Sequence, residues 1–272
     1  MTLETHDDRP TGPNFASGGR PGQGKDRGAF GDLTPKEGLV LLREGELAVE
    51  GQLTVASNTT LYCTLSDGTR SAACVYKPVA GERPLWDFPD GTLAGREVSA
   101  FAVSQALGWE IVPPTVYREG PFGEGMVQLW VHGDPDVDLI ALSQETDNAS
   151  LRRMAVFDAV INNSDRKIGH LLPTYGGHLY GCDHGVSFAE EDKLRTVLWQ
   201  WRGLPLTEEA LAALEMLTEQ LRDPTSEVSL TVGHHLTGPE RDALRSRVDL
   251  LMEHRIHPWP APGWPAVPWP PV

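Results

Sequence analysis

The sequence predicts an α+β protein of two lobes, a small strand-rich one followed by a mainly helical one. Three observations carry that prediction. Short alternating apolar segments bounded by turn residues crowd the chain before residue 131. Longer segments of helical period dominate after it. Between them "HGDPDVDL", residues 132–139, is polar and turn-prone, a natural connector. A chain of 272 residues is long enough to bury a full core in this arrangement.

Four regions follow. Residues 1–34, rich in Gly, Pro and charge, predict a disordered arm. Residues 35–131 form the N-lobe, 132–256 the C-lobe and 257–272 a Pro/Trp-rich tail. In the N-lobe "GELAVEGQLTV", "TLYCTLS" and "SAACVYKPV" read as strands, the last two joined by the Asp67-Gly68 hairpin signal. "LAGREVSAFAVSQALG" reads as a helix, with Val98, Phe101, Ala102 and Leu107 apolar and Gly108 as its stop. "VPPTVYREG" and "GMVQLWV" add two strands. The C-lobe contributes the helical segments "ASLRRMAVFDAVINN", "TEEALAALEMLTEQLRD" and "TGPERDALRSRVDLLMEH".

Composition narrows the function. With 23 basic against 38 acidic residues the net charge is −15. That argues against charge-driven binding of nucleic acid or of an anionic membrane surface, a local basic patch aside. No apolar run approaches the ~18 residues of a membrane span, and the polar N-terminus shows no signal-peptide core. Cys63, Cys74 and Cys182 are odd in number and lack CxxC spacing, which predicts reduced thiols and a cytoplasmic protein. The tail spaces Trp259, Trp264 and Trp269 by five among prolines. Such a segment favours polyproline II and is expected to lie on an apolar groove, on its own domain or on a partner.

Candidate chemistry sits in four places. Lys77 ends an apolar strand, where it either snorkels to the surface or points into a cleft. Glu97 lies twenty residues on, on the following helix, able to pair with it and leave the ammonium for phosphates. In the turn "ASNTT", Ser57, Asn58 and Thr59 offer groups that cap phosphates; an ordinary polar hairpin turn is the alternative. Asp165 follows an apolar helix in a polar loop, and Asp183 comes eighteen residues later beyond a hairpin turned at Gly176-Gly177. Phosphoryl transfer needs one carboxylate near the attacking hydroxyl and another on the metal. A metal cluster of His170, His178, Cys182 and His184 is the rival reading of these residues, and implies a metal-dependent hydrolase.

Together "NSDRKIGHLL", "CDHGVSF", "VYKP" and "GREVSAF" resemble the phosphatidylinositol 3- and 4-kinase-like superfamily, above all type II phosphatidylinositol 4-kinases and an actinobacterial branch, over roughly residues 39–221. The resemblance implies a bilobal protein-kinase-like fold, ATP, and Mg or Mn. By it Lys77 binds phosphates and Glu97 orients it, Asp165 with Arg166 is catalytic, and Asp183 holds the metal. Asn163 either adds a ligand or fixes the loop. Gln128 and Trp130 fall where the hinge between lobes would pass adenine, though core packing also explains Trp130. One departure stands out: His170 occupies the place of the family's metal-binding asparagine. Imidazole suits Mn better than Mg. The implied activity is ATP-dependent phosphotransfer to a protein, small-molecule or lipid hydroxyl, the lipid being disfavoured by the net charge. The alternatives are a nucleotide-binding pseudokinase or scaffold and an AMP-transferring enzyme on the same fold.

Overall fold

The computed structural model describes residues 28–53 and 58–272. The chain is an α+β protein of two lobes, as its sequence predicts. Its N-terminal part is a five-stranded antiparallel sheet in the order β1-β2-β3-β5-β4, formed by Glu46–Gln52, Leu61–Ser66, Ser71–Pro78, Thr115–Gly120 and Gly123–Leu129, with β4 and β5 named in chain order. The β2–β3 hairpin turns where Asp67-Gly68 places it. Asp67 Oδ1 accepts from the Thr69 and Arg70 amides, and Gly68 takes the positive φ of 86° that only glycine adopts without strain.

Alternation along β3 decides what faces where. Cys74 and Tyr76 are fully buried and pack with Leu61, Cys63, Leu65, Val127 and Leu129 under helix α1, Pro35–Glu44. With a period of two, Val75 and Lys77 must project from the opposite face. That face meets helix α2, Leu93–Ala106, which runs between β3 and β4 in the chain. Nearly every residue of α2 is buried, because the sheet covers one side and the C-lobe the other. Its C-terminal half, Ala100 to Leu107, belongs to the main helical core, and Gly108 ends it with φ 70°.

The C-lobe is helical. Helix α3, Leu139–Ser143, precedes α4, Ala149–Ile161; then come the short strands β6, Leu171–Pro173, and β7, Leu179–Gly181, and the helices α5, Glu208–Arg222, α6, Glu227–His235, and α7, Gly238–His254. Met154 and Phe157 of α4, Leu214 and Leu217 of α5, and Leu244 and Val248 of α7 fill its core with the end of α2. Asn148, Thr207 and Thr237 cap α4, α5 and α7 through their side chains. Helix α4 stops two residues before the predicted end, because Asn162 enters the left-handed region at φ 53° and turns the chain into the Asp165 loop.

Two differences from expectation stand out, in the arm and in two helices, while the tail takes one of its two expected placements. The predicted arm ends earlier than residue 34: Phe30 is buried against Tyr180, with ring centroids 5.3 Å apart, and His132 donates to the Ala29 carbonyl at 2.8 Å. Residues 1–27 of that arm, and Ser57 of the first turn, lie outside the described residues. The tail lies on its own domain. Helices α1 and α6 were not anticipated as separate elements, although Thr34 and Glu37 form a capping box ahead of α1.

Candidate active site between the lobes

The cleft between sheet and C-lobe encloses about 230 Å³, lined by Lys77, Glu97, Asp165, Lys167, His170 and Asp183 among others. That volume is below the range of pockets that swallow a whole nucleotide-sized ligand, and its charged lining suits a phosphate chain. Lys77 is its centre. The ammonium donates to Glu97 Oε1 at 2.8 Å and to Asp183 Oδ1 at 2.5 Å, so one strand, one helix and one loop meet at a single nitrogen. Burial opposes the charge on Lys77, but Asp183 and then Glu97 outweigh it and raise the pKa above the usual lysine value. The ammonium across from Asp183 holds that carboxyl below the usual carboxylate range.

Glu97 is fixed from several directions. Its Oε2 accepts the His184 amide at 2.9 Å, immediately after Asp183. Its neighbour Arg96 is fully buried and donates to the Ser187 carbonyl at 2.7 Å and to Glu240 Oε1 of α7 at 2.5 Å. Glu82 caps the start of α2, accepting from the Leu93 and Ala94 amides at 3.1 and 2.8 Å. Helix α2 is therefore tied at its tip and along its face, with Glu97 turned into the cleft.

The Asp165 loop is braced from beneath by Asp158, the last acid of α4. Asp158 is wholly buried and accepts from the Arg166 guanidinium at 2.9–3.2 Å, from Asn163 Nδ2 at 2.9 Å and from the Thr196 hydroxyl at 3.3 Å. Asn163 Oδ1 in turn accepts the Asp165 amide at 3.0 Å. Asp165 projects into the cleft, where desolvation raises its pKa despite the Lys167 ammonium 3.3 Å away.

His170 and His184 are both pushed toward the neutral form. Burial, aided by nearby cations, lowers His170 to about 4. The Lys167 amide faces its Nδ1 at 3.4 Å, which leaves the ring proton on Nε2, 3.5 Å from Asp183 Oδ2. Burial also holds the His184 pKa well below the ordinary histidine value. Arg166 donates to its Nε2 at 2.6 Å, which puts the proton on Nδ1; that atom has no hydrogen-bond partner, and Glu97 Oε2 lies 3.9 Å from it. Asp183 itself sits at φ 57°, a conformation uncommon outside glycine and concentrated at functional sites.

The structure thus brings Lys77, Glu97, Asp165, Asp183 and His170 to one cleft, with Asn58 and Thr59 on its rim. Asn58 Oδ1 accepts the Arg83 amide at 2.9 Å, and the Thr59 amide donates to the Gly81 carbonyl, so both fasten the first turn to the segment after β3. Other expected residues lie elsewhere. Arg166, expected at the catalytic centre, has no exposed surface; all its donors go to Asp158, Cys182 and His184, so it supports the loop from within. Asn163 is equally buried and spends its amide on the same bracing. Gln128 donates to the Thr115 hydroxyl inside the sheet, and the Trp130 ring meets Tyr62 edge-on at 5.2 Å while its amide bonds to Ala73. Neither lines the cleft. The rival His/Cys cluster does not assemble: His178 bonds the Glu110 carbonyl at 3.0 Å and His184 is engaged by Arg166. Among the described residues no group of three ligating side chains is poised to hold a metal by itself.

Sequence reading missed Asp158, Arg96, Glu82 and Glu240. Only Asp158 left a local signal, as a lone acid among the apolar residues of α4.

For a divalent cation the available donors are Asp183, whose Oδ2 is not taken by Lys77 and whose side chain is 49% exposed to the cleft, and Asp165. Two hard carboxylates without a closed cage fit an ion that arrives with phosphate ligands of its own.

The fold and this cleft define a two-lobed α+β protein with a half-buried lysine shared between two acids. The chain is 44% identical, over 264 residues covering 81% of it and 94% of the relative, to Protein Rv2133c of Mycobacterium tuberculosis (strain ATCC 25618 / H37Rv), and it belongs to the same family as that protein. No protein-family model matches. Among solved structures it is similar to the crystal structure of a Helicobacter pylori proinflammatory kinase, CtkA, at a TM-score of 0.44 and 13% identity, covering 78% of this chain and 93% of that one.

Proposed function

We propose that the protein is an ATP-dependent phosphotransferase of the phosphatidylinositol 3- and 4-kinase-like kind. The observation that supports this most directly is the Lys77 ammonium held between Glu97 and Asp183 in a cleft that also contains Asp165. An amine so placed stays charged at every physiological pH and is aimed at anionic oxygens. Glu97 keeps it in position, and Asp183 keeps one oxygen that Lys77 does not bind. Asp165, with its affinity for a proton raised by burial, is placed to accept the proton of an attacking hydroxyl. Asp183, with Asp165 as the other available carboxylate, would hold a divalent cation, which would supply positive charge for the transferred phosphate. The rest is positioning by the braced loop, which is the main demand of phosphoryl transfer.

One observation favours a second reading, a nucleotide-binding scaffold without turnover. The tautomer set by the Lys167 amide makes His170 a donor toward Asp183, where the resembling superfamily has a metal ligand. Incubation with γ-labelled ATP and Mn²⁺ or Mg²⁺ separates the two. Label transferred to protein or water, and lost in Asp165→Asn, supports the phosphotransferase. Nucleotide binding with no release of labelled phosphate supports the scaffold.

A further inference from the structure

The tail does not stop on the far side of the C-lobe. Trp264 donates to Glu191 Oε1 at 3.1 Å and stacks on Trp86 of the N-lobe, with centroids 6.0 Å apart and planes 13° from parallel. The Lys193 ammonium lies beneath, 5.4 Å from the Trp264 ring and 4.2 Å from Phe88, and pairs with Asp87 at 2.8 Å. Next, the Ala266 carbonyl accepts from the Thr196 amide at 3.1 Å and from Trp199 Nε1 at 2.7 Å. Finally the Pro271 carbonyl accepts the Ile168 amide at 2.9 Å. Thr196 belongs to the loop that follows Asp183; Ile168 lies between Lys167 and His170, both of which line the cleft. The tail therefore passes from the loop after Asp183 to the loop after Asp165, with none of its own residues among those that line the cleft.

Two properties mark this crossing as an occupied groove more than a piece of core. To the strap's main chain the ground beneath offers donors, two loop amides and an indole N–H, which need acceptors once covered. The strap offers acceptors, because its prolines carry carbonyls and no N–H. That is recognition of an extended main chain, with a side-chain anchor at Trp264. The strap is also shallowly held. Of residues 264–272 only Pro268 is buried; Trp269 is 88% exposed, and Trp86, on which Trp264 stacks, is 86% exposed. Segments with so little burial open locally at far less cost than global unfolding.

We propose that the strip from Thr196 to Ile168 is a groove for an extended, proline- and tryptophan-bearing polypeptide, filled in cis by Trp264–Pro271, which an incoming polypeptide must displace. The groove stands on its own geometry; that its incoming occupant is the phosphate acceptor rests on the phosphotransferase reading. The test needs no nucleotide, so it succeeds or fails whether or not phosphate is ever transferred.

Hydrogen exchange is measured on the full-length protein and on its Trp264→Ala form. Losing the stack and its cation contact is expected to speed exchange of the Ile168 and Thr196 amides by about tenfold or more, leaving α5 and α7 unchanged. A synthetic peptide PGWPAVPWPPV, added in trans, is expected to restore protection at both amides in the variant, and the same peptide with alanine for both tryptophans is not. Unchanged exchange at Ile168 and Thr196, loss of protection spread through the helical core, or no restoration by the peptide would each overturn the proposal.

Discussion

Lys77 and Glu97 are twenty residues apart in sequence and 2.8 Å apart in space, one on β3 and the other on α2. Each is also bound to the turn that carries Asp183: Lys77 through the Asp183 carboxylate, Glu97 through the His184 amide. The pair therefore reads the position of a C-lobe loop from the N-lobe side, and removing either residue should loosen the cleft before it loosens the fold.

Lys77→Ala should lower affinity for ATP by at least about tenfold, roughly the 1.4 kcal/mol that one charge-assisted contact supplies. Fluorescent-nucleotide titration checks this. An affinity equal to that of the parent protein would remove Lys77 from the phosphate site.

Arg96→Met leaves Glu240 buried without its partner and frees the face of α2 beside Glu97. Breaking a buried pair from one side costs about 3–5 kcal/mol. Urea unfolding should show a loss of that order, and Glu240→Gln a smaller one because a neutral amide still accepts the guanidinium. Indistinguishable midpoints for Arg96→Met and parent would contradict the tie between α2 and α7.

Stability should depend on pH through histidines held neutral. Burial, with Arg152 adding to it, lowers His257 to about 4, and burial, with His234 adding to it, lowers His235 to about 4. Between those values and the ordinary histidine pKa of about 6.5 the unfolded chain binds more protons than the folded one, so stability falls as pH drops from about 6.5 toward 4. The urea midpoint at pH 5 should lie below that at pH 7, and His257→Gln should flatten the slope. A midpoint that rises on acidification in this window would show the sign to be wrong.

His170→Asn should shift the nucleotide site toward Mg²⁺, because an amide supplies a hard oxygen where the imidazole turns an N–H toward Asp183. The ratio of ATP affinities in the two metals measures it. A ratio that does not move would place His170 outside the ion's surroundings.

How much of this was legible in the sequence depends on range. Turn chemistry and strand period are local, so the Asp67-Gly68 hairpin and the Gly108 stop could be read directly, and the alternation along β3 left a cleft-facing Lys77 as one of two choices. The spacing of Asp165 and Asp183 around a glycine turn likewise encodes their return to each other. Arg166 was misplaced because a charged residue beside Asp165 looks solvent-facing until Asp158, eight residues earlier, is seen to lie buried beneath it. Asn163 shares that cause. Arg96 and Glu240 are 144 residues apart, and nothing local announces their pairing. Helix α6 was hidden because "EVSLTVGHH" mixes β-branched residues with a glycine; it is held by packing of Val228 and Val232 into the main core more than by its own propensity.

The central claim is that Lys77 and Asp183 together hold a nucleotide with its metal. Isothermal titration of a nonhydrolysable ATP analogue, with and without Mn²⁺, into the parent protein and into Asp183→Asn tests it most directly. The account predicts binding that Mn²⁺ strengthens in the parent and no metal effect in the variant. Equal metal dependence in both proteins, or no nucleotide bound by the parent, would contradict it.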